Sequence, residues 1–168
     1  IGIMNGTTNY ILSNMTETGM SYEDALKGAQ EKGYAEADPT NDVSGYDAAR
    51  KIAILATLGF HSAVTFNDVN VEGIETIAKE DIQHATEMGY VIKLLAIARQ
   101  DEEGITLNVH PSFIRKGHPL ANVGGARQLR RRYYDVRSGS RFPAYSQCCR
   151  QRCHECYPSL QHQHYRQP

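Results

Sequence analysis

Four carboxylates and a lysine crowd one short stretch of the chain. In GYAEADPTNDVSGYDAARK, from Gly33 to Lys51, the acids Glu36, Asp38, Asp42 and Asp47 fall within twelve residues, and Lys51 follows Asp47 by four. On a helix that spacing sets the Asp47 carboxylate and the Lys51 ammonium on one face. Ala48, Ile52 and Leu55 flank that face, so the spacing predicts a lysine whose stem is partly desolvated. Burial lowers a lysine pKa and nearby carboxylates raise it. A lysine held between these influences can give or take a proton, and carboxylates converging beside it suit a small cation such as a substrate amino group. The pattern also has a plainer reading. An Asp/Lys pair one turn apart is commonly a solvated surface bridge contributing about 0.3–0.5 kcal/mol, and Asp38-Pro39 is commonly only a turn. A calcium loop fits poorly, because the acids lack the alternating DxDxDG spacing and the terminal bidentate Glu.

The surrounding pattern supplies the elements that must position this stretch. Ile1–Met4 is a short apolar run, and Thr7 or Thr8 is a suitable N-cap for a helix running to about Thr18 and stopped near Gly19. Ser21, with Asp24 three residues later, opens a second helix whose inner face is Ala25, Leu26 and Ala29. Gly33 ends it, where a left-handed residue fits. Residues 34–44 show no periodicity and read as a structured loop. From Gly45 to about Leu58, Ala48, Ala49, Ile52, Leu55 and Ala56 recur at helical spacing, with Gly59 closing that helix. Val64–Phe66 and Val69–Val71 read as short strand pieces. Ile74–Met88 is mostly helical in spacing, with a break near Asp81. Tyr90–Arg99 reads as a strand, 101–104 as a turn, and Ile105–His110 as a second strand ended by Pro111. Helices first and strands later predict an α+β fold, with helices packed on a mixed or antiparallel sheet.

The 168 residues carry a net charge of −1, but that average hides a break. Residues 1–125 hold 9 Lys and Arg against 17 Asp and Glu, whereas residues 126–168 hold 9 Arg against one Asp and one Glu. The acidic first part argues against nucleic-acid binding, and no apolar run approaches the roughly 20 residues of a membrane span. A start at Ile1 in mid-pattern reads as a piece of something longer. The chain thus divides into a domain over 1–125 and a basic Cys/His/Arg-rich tail over 126–168 too poor in apolar residues to pack a core, and so expected to be disordered. Cys153, Cys156, His162 and His164 have the ligand types of a zinc set, but His-x-His is tighter than the usual spacing.

Resemblance sharpens the reading. The pattern Ala29-x3-Gly33-Tyr34-Ala35-x2-Asp38-Pro39-x2-Asp42-Val43-x-Gly45-x-Asp47-x3-Lys51 is similar to the signature of homoserine dehydrogenases, with every fixed position present. Gly2–Leu12, Ile92–Ala96 and His110-Pro111 through His118–Ala121 resemble flanking segments of the same family. The likeness covers about residues 1–124. It implies NAD- or NADP-dependent interconversion of L-homoserine and L-aspartate 4-semialdehyde, in threonine, methionine and isoleucine synthesis. It also implies a cytoplasmic homodimer with no nucleic-acid or membrane partner and no metal bound by this chain. By motif position, Lys51 is implied as the acid/base, with Asp47 beside it. Asp47, Glu36 and Asp42 are implied to hold or orient the substrate, and Gly33, Gly6 and Thr7 to face the cofactor. The family's dinucleotide-binding motif G-x-G-x-x-G is absent from this sequence, which predicts no turnover by this chain alone.

The resemblance also bears on the tail. Back-translation of Asp135–Cys156, read one nucleotide downstream, permits MFGRGAGSLPTASAVVSVVMSA without a stop, which resembles the family's glycine-rich, cofactor-proximal segment. A frameshift from about Ala126 is therefore expected, leaving the Cys/His cluster without an evolved role. Two other readings remain: a non-catalytic module whose acidic loop binds a cationic partner, and a zinc-dependent basic interaction protein.

Overall fold

A computed structural model describes residues 1–123. Five helices and three strands follow in order: α1 (Gly6–Thr18), α2 (Tyr22–Glu31), α3 (Thr40–Val43), α4 (Tyr46–Phe60), β1 (Val69–Val71), α5 (Lys79–Glu87), β2 (Tyr90–Gln100) and β3 (Ile105–Arg115). The fold is α+β as the pattern predicts. The sheet is mixed, in the order β1-β3-β2. β2 and β3 form an antiparallel hairpin from Tyr90↔Arg115 to Gln100↔Ile105, and β1 joins β3 in parallel at Leu107–Val109.

β2 shows why its sequence lacks alternation. Ile92, Leu94 and Ala96 pack into the main core with α1, α2, α4 and α5, while Leu95 and Ile97 meet Ile3, Ile114 and Val123 on the other face. A strand covered on both sides needs apolar residues at every position. Lys93 is the exception within that run. It is 3% exposed, and its ammonium donates to Asn9 Oδ1 (2.8 Å), Ser13 Oγ (2.7 Å) and the Val123 carbonyl (3.0 Å). A buried cation is tolerable when all three of its donors are matched in this way.

Several boundaries differ from the sequence reading, each for a local reason. The cap of α1 is Asn5, not Thr7 or Thr8: its Oδ1 accepts from Thr8 N at 2.8 Å, and both threonines lie inside the helix. Residues 34–44 contain the one-turn helix α3. Val64–Phe66 is not a strand. Asp68 Oδ2 accepts from Thr65 N (2.7 Å) and Thr65 Oγ1 (2.8 Å), which folds 66–68 into a 3-10 turn. In the 74–88 segment α5 begins only at Lys79, because Asp81 reaches back to Ala78 N at 2.9 Å and fixes the helix start there. β3 runs through Pro111 to Arg115. β1 pairs only as far as Val109, so β3 has an open edge beyond it, where a proline breaks no ladder on that side. Leu55, expected inside, is 46% exposed, and α4 continues past Gly59 to Phe60, closing at His61 with φ of 54°.

The expectations for the tail, including its disorder, the frameshift and the Cys153, Cys156, His162 and His164 set, lie outside the described residues. Among the described residues no group of His, Cys, Asp and Glu could hold a metal ion, and no helix is long and apolar enough to cross a membrane.

Candidate functional site

The run Ile1–Met4 is fixed first. Gly2 exchanges two backbone hydrogen bonds with Ala96 of β2, at 3.0 and 2.9 Å. That pairing lays Met4 and Asn5 across the N-terminal half of α4. Gly45, with φ of 83°, turns the chain sharply into α4, so Asp47 falls in its first turn and Lys51 one turn later.

There the expected pair forms. Lys51 Nζ lies 2.6 Å from Asp47 Oδ2 and donates to the Met4 carbonyl at 3.2 Å. It is the one ion pair among the described residues, despite their many charged side chains. The Lys51 side chain is 50% exposed and that of Asp47 is 29% exposed, so this lysine is less desolvated than its neighbours in sequence suggested. Two of its three N–H donors are engaged among the described residues, which leaves one for an oxygen outside.

Asp42 converges on the same place through Asn5. Asn5 Nδ2 donates to Asp42 Oδ1 at 2.7 Å and to Asp47 Oδ2 at 2.8 Å. Asn5 is a site residue that sequence reasoning misses. Its only local signal is an Asn ahead of Gly-Thr-Thr at a helix start, and its partners lie 37 and 42 residues away.

Glu36 stands apart from this cluster. Its side chain is exposed, and among the described residues no hydrogen bond or ion pair joins its carboxylate to Lys51 or Asp47. Its carbonyl accepts from Gln30 Nε2 at 3.1 Å. Asp38 serves its own turn: its Oδ1 accepts from Thr40 Oγ1 (2.6 Å) and Thr40 N (3.1 Å), which lowers its pKa.

Gly33, Gly6 and Thr7 are drawn together by one bond. Thr7 Oγ1 donates to the Tyr34 carbonyl at 2.7 Å, joining the start of α1 to the loop after α2. That loop is braced by Tyr34 packing on Tyr10 at 4.7 Å between ring centroids, and by Lys32 Nζ donating to Tyr10 Oη at 2.8 Å. Gly33 has φ of 71° as expected. A Cβ added at either Gly33 or Gly6 would meet no heavy atom within 4 Å, so both glycines border open space.

Residues 1–136 match the family model described as homoserine dehydrogenase. The chain belongs to the homoserine dehydrogenase family. It is 55% identical over 129 residues to the homoserine dehydrogenase of Synechocystis, covering 74% of this chain and 30% of that protein. The Bacillus subtilis homoserine dehydrogenase is 50% identical over 123 residues, covering 73% of this chain and 28% of that protein. Among solved structures, Staphylococcus aureus homoserine dehydrogenase superposes with a TM-score of 0.72 at 44% identity, over 74% of this chain and 32% of that one. The Thiobacillus denitrificans homoserine dehydrogenase gives 0.70 at 50% identity, over 73% and 28%. The chain thus spans about three-tenths of the length of these homoserine dehydrogenases.

Proposed function

We propose that this chain is the substrate-binding and catalytic part of a homoserine dehydrogenase interconverting L-homoserine and L-aspartate 4-semialdehyde. The observation that carries the reading is the Lys51 ammonium, gripped by Asp47 at 2.6 Å and Met4 O at 3.2 Å, with a third donor unspent and half the side chain open to solvent. In the reducing direction that third N–H protonates the aldehyde oxygen as the carbonyl becomes an alcohol. In the oxidising direction the neutral amine takes the hydroxyl proton back. Asp47 keeps the amine aimed. The unshared oxygens of Asp47 and Asp42 receive the substrate ammonium, and Glu36, exposed and with its carboxylate unpaired among the described residues, completes its surroundings.

NADP or NAD is the partner in this reaction, and when bound its nicotinamide gives hydride to, or takes it from, the carbon bearing the reacting oxygen. The residues of this chain suit such a neighbour: Gly33 and Gly6 border space that any side chain there would fill, and Thr7 fixes their spacing. The dinucleotide-binding unit belongs to a separate part of the enzyme, so this chain alone does not turn over. The complete enzyme is a cytoplasmic homodimer serving threonine, methionine and isoleucine synthesis. The sequence from about Ala126 is a frameshifted translation, which a nucleotide sequence in one unbroken frame across that point would rule out.

The experiment is NAD(P)-dependent oxidation of homoserine by the complete enzyme carrying residues 1–123, followed by nicotinamide absorbance. Homoserine-dependent reduction of either nucleotide is expected. Binding of homoserine without any such reduction would leave the acidic loop as a cation-binding module only.

A further inference from the structure

Asn5 is a neutral side chain placed where three charges meet. It is 5% exposed, and every polar group of its amide is used. Oδ1 accepts from Thr8 N at 2.8 Å, and Nδ2 donates one hydrogen to Asp42 Oδ1 and one to Asp47 Oδ2. The opposite amide orientation would set its oxygen against two carboxylates and its NH2 against an N–H donor, so the network fixes which way the group faces. Asp47 Oδ2 is shared between Asn5 and Lys51, and among the described residues no hydrogen bond engages Asp47 Oδ1. Asp42 Oδ2 is left in the same way.

Had a lysine or arginine stood at this position, it would neutralise the carboxylates that the substrate ammonium must meet. A neutral amide holds two carboxylates side by side without adding a second cation to the Lys51 already paired with Asp47. We propose that Asn5 is a positioning residue that joins Asp42 and Asp47 into one ammonium clamp and keeps Asp47 in line with Lys51. Preference for substrates bearing an α-amino group therefore depends on Asn5. This inference rests on the substrate reading of Asp47 above.

Asn5→Ser separates the two tasks of the residue, because serine caps a helix about as well as asparagine but cannot bridge two carboxylates. In the complete enzyme, kcat/KM is measured for homoserine and for its analogue lacking the α-amino group, with the melting temperature followed in parallel. Asn5→Ser is expected to lower the preference for homoserine about tenfold or more, mainly through KM, the size expected for loss of a charge-assisted contact. Asn5→Thr, which retains a cap acceptor and likewise cannot bridge two carboxylates, is expected to lower the preference about as far. Should either variant fail to fold, the other still decides the matter. A preference unchanged within about twofold in the folded variants, while Asp47→Asn lowers it tenfold, would reduce Asn5 to a helix cap and overturn the inference alone. An unchanged preference in Asp47→Asn as well would overturn the substrate reading of Asp47 with it.

Discussion

The hydroxyl of Thr7 donates to the carbonyl of Tyr34 at 2.7 Å, across 27 residues of sequence. Through that bond the first turn of α1 and the glycine turn after α2 share one edge of the molecule. Gly6 and Gly33 face open space along it.

The cofactor role proposed for Gly33 can therefore be tested apart from its role in folding. Its φ of 71° makes alanine there cost about 1–2 kcal/mol of stability, but no atom stands in the way of the added methyl. Gly33→Ala in the complete enzyme should lower the melting temperature by a few degrees while raising KM for the nicotinamide cofactor well beyond that for homoserine. An unchanged cofactor KM would remove Gly33 from the cofactor edge.

Gly45 behaves differently. Its φ is 83°, and an added Cβ would lie 3.1 Å from Val71 Cγ1 and 3.3 Å from Val109 Cγ1. Left-handed strain and overpacking act together, so Gly45→Ala should cost about 2–4 kcal/mol. The urea unfolding midpoint measures this. A loss below about 1 kcal/mol would mean that the turn into α4 is more yielding than its packing indicates.

The fold class and the Asp47–Lys51 pairing were legible because they follow from local spacing, whereas the roles of the other signature residues rest on the family resemblance. Asp47 and Lys51 are one helical turn apart whatever surrounds them, and the dense run 90–99 can only be a covered element. What was not legible depended on distant partners or on competition among neighbours. Asn5, Gly6, Thr7 and Thr8 offer several helix starts within four residues, and the carboxylates of Asp42 and Asp47 favour the one that buries the Asn5 amide between them. Pro111 reads as a strand end until β1 is seen to stop short of it. Leu55 is 46% exposed on α4, so periodicity overstated the width of that helix's inner face by one residue while placing Ala48, Ala49, Ile52 and Ala56 correctly.

Lys93 gives the structure a pH dependence of definite sign. Burial pushes its ammonium pKa down to about 8, with Glu17 opposing the shift, from an ordinary value of 10.5. Between those values the unfolded chain carries a proton that the folded chain lacks, so this group's contribution to stability rises with pH across roughly 8 to 10.5. Below 8 both forms are charged, and the burial penalty of about 3 kcal/mol stands in full. Relative to Lys93→Met, the unmodified protein should gain stability between pH 7.5 and 10. Unfolding free energies at the two pH values test this, and a difference between the two proteins that does not change with pH would contradict it.

The most direct measurement is the turnover of Lys51→Ala in the complete enzyme, with homoserine and cofactor both saturating. The Lys51 ammonium pairs with Asp47 at a half-exposed site, where an ion pair contributes little to folding. Removal of the amine should therefore leave the melting temperature nearly unchanged while lowering kcat by about 10²–10⁴-fold, the range for loss of a positioned proton donor. A folded Lys51→Ala enzyme within about threefold of normal turnover would contradict the assignment of Lys51 as the acid and base.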